Sequence, residues 1–160
     1  MPETEWLIEL VNQPSCCLWD IPEAELSTPQ QVFLRVWAVK GEVDNGGFEQ
    51  FFFNSAGDRA HQTVKALREI GARSTAHVVE QACSFFGPKG PPPIQEARQV
   101  VLAKIYPHAE ATWTRLEGEF YSDPDRLDRK LVESVIENKD HFPGAAELLA
   151  RSSQTSTDRA

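Results

Sequence analysis

Gly41-Glu-Val-Asp-Asn-Gly-Gly-Phe-Glu-Gln-Phe-Phe-Phe-Asn-Ser-Ala-Gly57 is the stretch whose reading decides the fold. Four of the nine phenylalanines fall inside it, at positions 48, 51, 52 and 53. Phe48, Phe51 and Phe52 have the i, i+3, i+4 spacing that stacks side chains on one helical face. Burying each ring contributes roughly 1.5–3 kcal/mol. The spacing therefore predicts a short helix at the centre of the core. Gly46 and Gly47 just before it let another backbone approach closely, or set a positive φ at the helix entry. Asn45, Gln50 and Asn54 interleave with the aromatics. Two readings of these amides stand side by side: partners for helix ends and loop carbonyls, or the lining of a polar pocket.

Working outward, Thr28-Pro29-Gln30-Gln31 predicts a helix start, with Thr28 as N-cap, Pro29 at the first helical position and Gln31 closing a capping box. Val32, Phe33, Val36, Trp37 and Val39 carry that helix to an end at Lys40-Gly41. Before it lie an amphipathic segment over 3–12, with Trp6, Leu7 and Leu10, and an irregular stretch anchored by Trp19 and Ile21. After the phenylalanines, Asp58 is expected to cap a helix through Val64, Leu67 and Ile70. Ser74 opens another through Val79, Cys83 and Phe86. Gly87-Pro-Lys-Gly-Pro-Pro-Pro93 predicts an extended, polyproline-like connector. Ile94, Ala97, Val101 and Ile105 mark a helix stopping before Pro107, and Ala109, Trp113, Leu116 and Phe120 mark the next. Asp123-Pro124 predicts the cap of a last long helix with Leu127, Leu131, Val135 and Ile136, and a short turn through Leu148 follows. No stretch alternates as a strand. The reading is an all-α bundle of about seven or eight helices, a single domain over 1–150, with 151–160 a disordered tail.

At 160 residues, 41% apolar and 25% charged, the chain has the composition of a soluble globular protein. An acidic N-terminus without an apolar run argues against a signal peptide. No apolar stretch reaches the roughly 18–20 residues of a membrane span. Three cysteines make no disulfide framework. The expected location is the cytoplasm. The net charge is −8, and all of it belongs to the first 58 residues, where ten acids face only Arg35 and Lys40. Such a field opposes direct nucleic-acid binding and favours a basic partner.

Chemistry finds little support. His61, His77, His108 and His141 are scattered without metal-ligand spacing, so neither metal nor other cofactor is expected. Cys83 lies on an apolar face that raises its pKa. Cys16 and Cys17 sit in a loop where a thiol could react, but no local signature supports them as nucleophiles. Glu42, Asp44 and Glu49 would repel an anion from the Gly46-Gly47 helix start. The reading is not an enzyme. What remains are carboxylates: Asp20, Glu23, Glu25, Glu42, Asp44 and Glu49 in the acidic third, and Glu133, Glu137 and Asp140 at helical spacing near the other end. Neighbouring carboxylates on a helix stand roughly 5–6 Å apart.

The run Asn45-Gly46-Gly47-Phe48-x-Gln50-Phe51-Phe52-x-Asn54, then Gly57 and Ala66-Leu67-x-x-Ile70-Gly71-Ala72, resembles a bacterial family of DNA-mimic proteins, over roughly residues 28–140. The resemblance implies a small acidic homodimer that binds a transcription factor in place of its operator. The motif residues themselves would be core. It implies a non-enzymatic interaction module whose acidic surface, the nine carboxylates above, occupies the DNA-binding site of a basic protein, with no nucleic acid or membrane contacted directly. Two alternatives stay open. One is a small-ligand binder or enzyme using a pocket around Asn45, Gln50 and Asn54. The other is an immunity-type protein neutralising a basic toxin.

Overall fold

A computed structural model describes residues 1–157, and every regular element among them is helical. Seven α-helices run in order: α1 Glu3–Val11, α2 Thr28–Phe53, α3 Ala60–Glu69, α4 Arg73–Ser84, α5 Gln95–Tyr121, α6 Leu127–Glu137 and α7 Ala145–Thr157, with short 3-10 turns between some of them. Of the stretch 151–160, expected to be disordered, residues 151–157 continue α7, and 158–160 lie outside the described residues. The helices form two compact units. One combines Met1–Leu34 with the segment from Leu127 onward, and the other is Arg35–Arg126.

In the first unit α1 packs on α6 and α7. Trp6, Leu7 and Leu10 are the buried residues of α1, and Leu127, Leu131 and Val135 those of α6, while Phe33 meets Phe142 edge-on with centroids 5.6 Å apart. The irregular stretch before α2 is anchored by Cys16, Leu18 and Leu26, not by Trp19, which is 53% exposed. The cap of α2 is Ser27, one residue earlier than expected. Its hydroxyl accepts from the Gln30 backbone N–H, and the Gln30 side chain accepts from the Ser27 N–H at 2.8 Å, a reciprocal capping box.

Gly41 does not end α2. The helix runs on to Asn45 and breaks at Gly46 and Gly47, the latter with φ 71°. A glycine stops a helix only where the chain beyond it turns away, and Val39 and Val43, both fully buried, keep the apolar stripe going across Gly41.

The second unit is built on the phenylalanine turn. Phe52 lies 4.8 Å from Phe86, 5.1 Å from Phe51 and 5.2 Å from Trp113, and Phe48 packs edge-on against Phe120. Around them α3 packs on α4 and α4 on α5. Helix α5 passes through Pro107 where a stop was expected. Both Pro107 and Ala103, whose carbonyl loses its partner, face solvent, so water satisfies the freed acceptor. The buried face of α5 is Arg98, Leu102, Ala109, Trp113, Leu116 and Phe120, leaving the expected Ile94 64% exposed. The Gly87–Pro93 connector is non-helical as expected, but it folds into tight turns with positive φ at Gly87 and Gly90 instead of extending.

Two other expected caps are used differently. Asp58 sits in the turn before α3 and accepts from Arg98 at 2.8 Å. Asp123 has φ 47°, and Asp125 reaches the start of α4, accepting from the Thr75 N–H at 2.7 Å and its hydroxyl at 3.0 Å. Ser74 lies inside α4, one turn position after its start at Arg73.

Candidate partner-binding surface

The phenylalanine turn is held at both ends by side chains from α5. At its entry the Phe48 N–H donates to Glu117 Oε1 at 2.8 Å, and a Cβ on Gly47 would collide with that carboxylate. The positive φ expected of the glycine pair is realised at Gly47, whereas the group that approaches closely is the Glu117 side chain and not another backbone. At its exit the guanidinium of Arg98, with no exposure, donates to Phe52 O at 2.6 Å and to Asn54 O, Pro92 O and Asp58 Oδ1, each at 2.8 Å. Gln95 and Gln99 both donate to Phe53 O. These bonds satisfy carbonyls that a helix end leaves without intrahelical partners. A Cβ at Gly57 would stand 2.7 Å from Arg98 Nε, which accounts for the glycine there.

The interleaved amides turn inward. Gln50 Nε2 and Asn54 Nδ2 both donate to Glu42 Oε2, at 2.7 and 2.8 Å, and Asn45 Nδ2 donates to Gln50 Oε1 at 3.0 Å. Glu42 is half-buried by this arrangement, so one of its oxygens is committed to holding the turn. A polar cleft of about 230 Å³ does open beside the turn, but Asn45 alone of the three amides lines it; Glu49, Tyr106, Glu110, Glu117 and Tyr121 form much of the rest. Desolvation, followed by repulsion from Glu49 and Glu110, raises the Tyr106 pKa. Desolvation, then Glu117 and Asp44, raises that of Tyr121. The cleft is therefore hostile to anions.

The other carboxylates are at the surface. In the second unit Asp44 and Glu49 are exposed, Asp44 pairing with Lys40 at 2.7 Å. In the first unit Asp20 ends a 3-10 turn at Leu18–Asp20, Glu23 and Glu25 bound another, and Asp140 lies in a third at Lys139–His141. Glu133 pairs with Arg129 at 2.9 Å. Asp20, Glu25, Glu137 and Asp140 are exposed and have no cation partner among the described residues. Gln30 Nε2 donates to His141 O at 2.7 Å, and Gln31 Nε2 donates to Glu23 O and Leu26 O. These three bonds tie the Glu23–Glu25 turn and the Lys139–His141 turn to the same first turns of α2. Acids more than 110 residues apart in sequence are thereby gathered on one unit. Lys139 and His141 share the second turn and temper its charge.

Arg98 and Asp125 were not singled out from the sequence. Arg98 left a signal: it stands four residues before Leu102 on the stripe that continues to Trp113, and a cation at a core position implies carbonyl or carboxylate acceptors around it. Asp125 left none, since its partner lies 50 residues away.

Among the described residues no group of His, Cys, Asp and Glu is disposed to hold a metal ion, and no helix is long and apolar enough to cross a membrane. A protein-family comparison matches residues 24–139 to the family described as DMP19-like protein, well over half of the chain. No curated protein and no solved structure matches the chain.

Proposed function

Because this chain belongs to the DMP19-like protein family, we propose that it acts as a DNA mimic on a basic DNA-binding protein such as a transcription factor. Its carboxylates stand where phosphates would, and the partner's lysines and arginines close on them instead of on a duplex. The observation that carries this reading is the pair of bonded turns in the first unit, where Asp20, Glu25, Glu137 and Asp140 are exposed without cations of their own. Glu23 and Glu133 belong to the same unit, and Asp44 and Glu49 are exposed carboxylates of the second unit. Glu42, which holds the phenylalanine turn, contributes charge more than contact. The protein works in the cytoplasm as a homodimer, which doubles the acidic surface, and contacts no nucleic acid itself.

Duplex DNA carries a charge every ~1.7 Å of axis, so affinity here depends on several carboxylates acting together and weakens with salt. The test is capture of a DNA-binding partner from native cytoplasm at low and then high salt, followed by competition between the chain and the partner's DNA site. The D20N/E25Q/E137Q/D140N variant should lose at least about tenfold in affinity, about 1.4 kcal/mol, and flatten the salt dependence. Undiminished capture by that variant would sink the proposal.

A further inference from the structure

We propose that the groove between α3, α4 and the turn at Gly87–Gly90 binds a small organic carboxylate with a short apolar body. The groove lies within the second unit and encloses about 410 Å³, in the range of small-molecule sites (~300–1,000 Å³). Val64, Cys83 and Pro88 supply its apolar surface. The Cys83 thiol is 6% exposed; burial, then the nearby Glu80, pushes its pKa up to about 12, so this wall stays neutral at physiological pH.

A basic stripe runs along one edge. His61, Lys65 and Arg68 follow at spacings of four and three on α3, so all three share a face. Arg68 reaches across to Glu80 at 2.8 Å. Lys65 has no carboxylate partner among the described residues. Two cations against one carboxylate leave a net charge of +1 facing the groove with His61 neutral, on a chain whose net charge is −8. This local reversal of sign matches one carboxylate group and disfavours a cation. The far wall is set in place: His61 Nε2 lies 3.3 Å from Lys89 O, and a side chain at Gly90 would collide with the His61 ring. A carboxylate between Lys65 and Arg68 gains charge-assisted hydrogen bonds, while its apolar body covers Val64 and Cys83. None of these residues belongs to the proposed partner-binding surface, so the two proposals fail separately.

Phenylbutyrate is the probe, compared with phenylbutanamide and phenylbutylamine, each titrated into the isotope-labelled full chain and followed by NMR. The carboxylate should shift the amides of residues 64–68 and 83–90 and the His61 ring in a saturable way, at least about tenfold more tightly than the neutral amide. Lys65→Gln should weaken it at least about fivefold, and Lys65→Arg should retain it. Lys65 is exposed, so both variants keep the fold, which thermal unfolding checks. Equal binding of acid and amide, shifts centred elsewhere, or an unchanged affinity in Lys65→Gln would each overturn the proposal.

Discussion

Arg98 shows how one side chain can organise an element that it does not belong to. Its guanidinium is wholly buried, and its Nε and both terminal nitrogens bond to three carbonyls and the Asp58 carboxylate at the exit of the phenylalanine turn. Lysine offers a single point of donors in place of a planar fork, so Arg98→Lys leaves several acceptors unmet. Arg98→Ala is expected to destabilise by about 3–5 kcal/mol, the cost of breaking a buried ion pair, read from urea unfolding. Cysteine accessibility is a second test at this scale. Cys17 is exposed, whereas Cys16 and Cys83 are buried and burial raises both their pKa values. Alkylation of the native protein near neutral pH should modify Cys17 alone. The raised pKa of Cys83 also has a thermodynamic sign. The folded state holds the proton more tightly than the unfolded thiol, so this contribution is complete below about pH 9 and is lost as pH rises toward about 12. Wild type should lose stability over that interval faster than Cys83→Ala.

At the scale of elements, the glycines of α2 divide into two kinds. Gly41 is exposed inside a continuing helix, and a Cβ there would meet nothing within 4 Å. Gly41→Ala should therefore raise stability by about 0.5–1 kcal/mol, through lower backbone entropy of the unfolded chain. Gly47 has φ 71° and sits against Glu117, so Gly47→Ala should destabilise by about 1–3 kcal/mol or more. Thermal unfolding of the two variants should move in opposite directions. Helix α4 gives a third case. Its first turn is satisfied by Asp125 from beyond α5, and Asp125→Ala should cost about 0.5–2 kcal/mol while Asp125→Asn costs less, because an amide oxygen still accepts from Thr75. The sequence carried the glycine pair as the entry to the phenylalanine turn. It also carried a false stop at Gly41 and another at Pro107, because punctuation residues report what the backbone permits and not where the apolar stripe continues.

Across the whole molecule the decisive quantity is uncompensated charge. The acids of the first 58 residues outnumber the bases by eight. Pairing in the fold removes part of this: Asp44 meets Lys40, Asp58 meets Arg98 and Glu9 meets Arg151, while Asp20 and Glu25 meet no cation among the described residues. The D20N/E25Q/E137Q/D140N variant should therefore unfold at a temperature equal to or above that of wild type, especially at low salt where self-repulsion is least screened. A marked loss of stability would show that these carboxylates hold the fold.

Spacing alone determined that the chain is helical, that Phe48, Phe51 and Phe52 are core, and that the phenylalanine turn is entered at Gly46-Gly47, because helical periodicity and glycine's backbone freedom act over a few residues. Only the tertiary structure decided that Gln50 and Asn54 serve Glu42 while Asn45 bonds to Gln50, that Arg98, Glu117 and Asp125 tie distant elements, and that the Glu23–Glu25 and Lys139–His141 turns are both bonded to the start of α2. A buried polar group takes whichever partner the fold brings within hydrogen-bond reach, and that choice leaves no period in the chain to read.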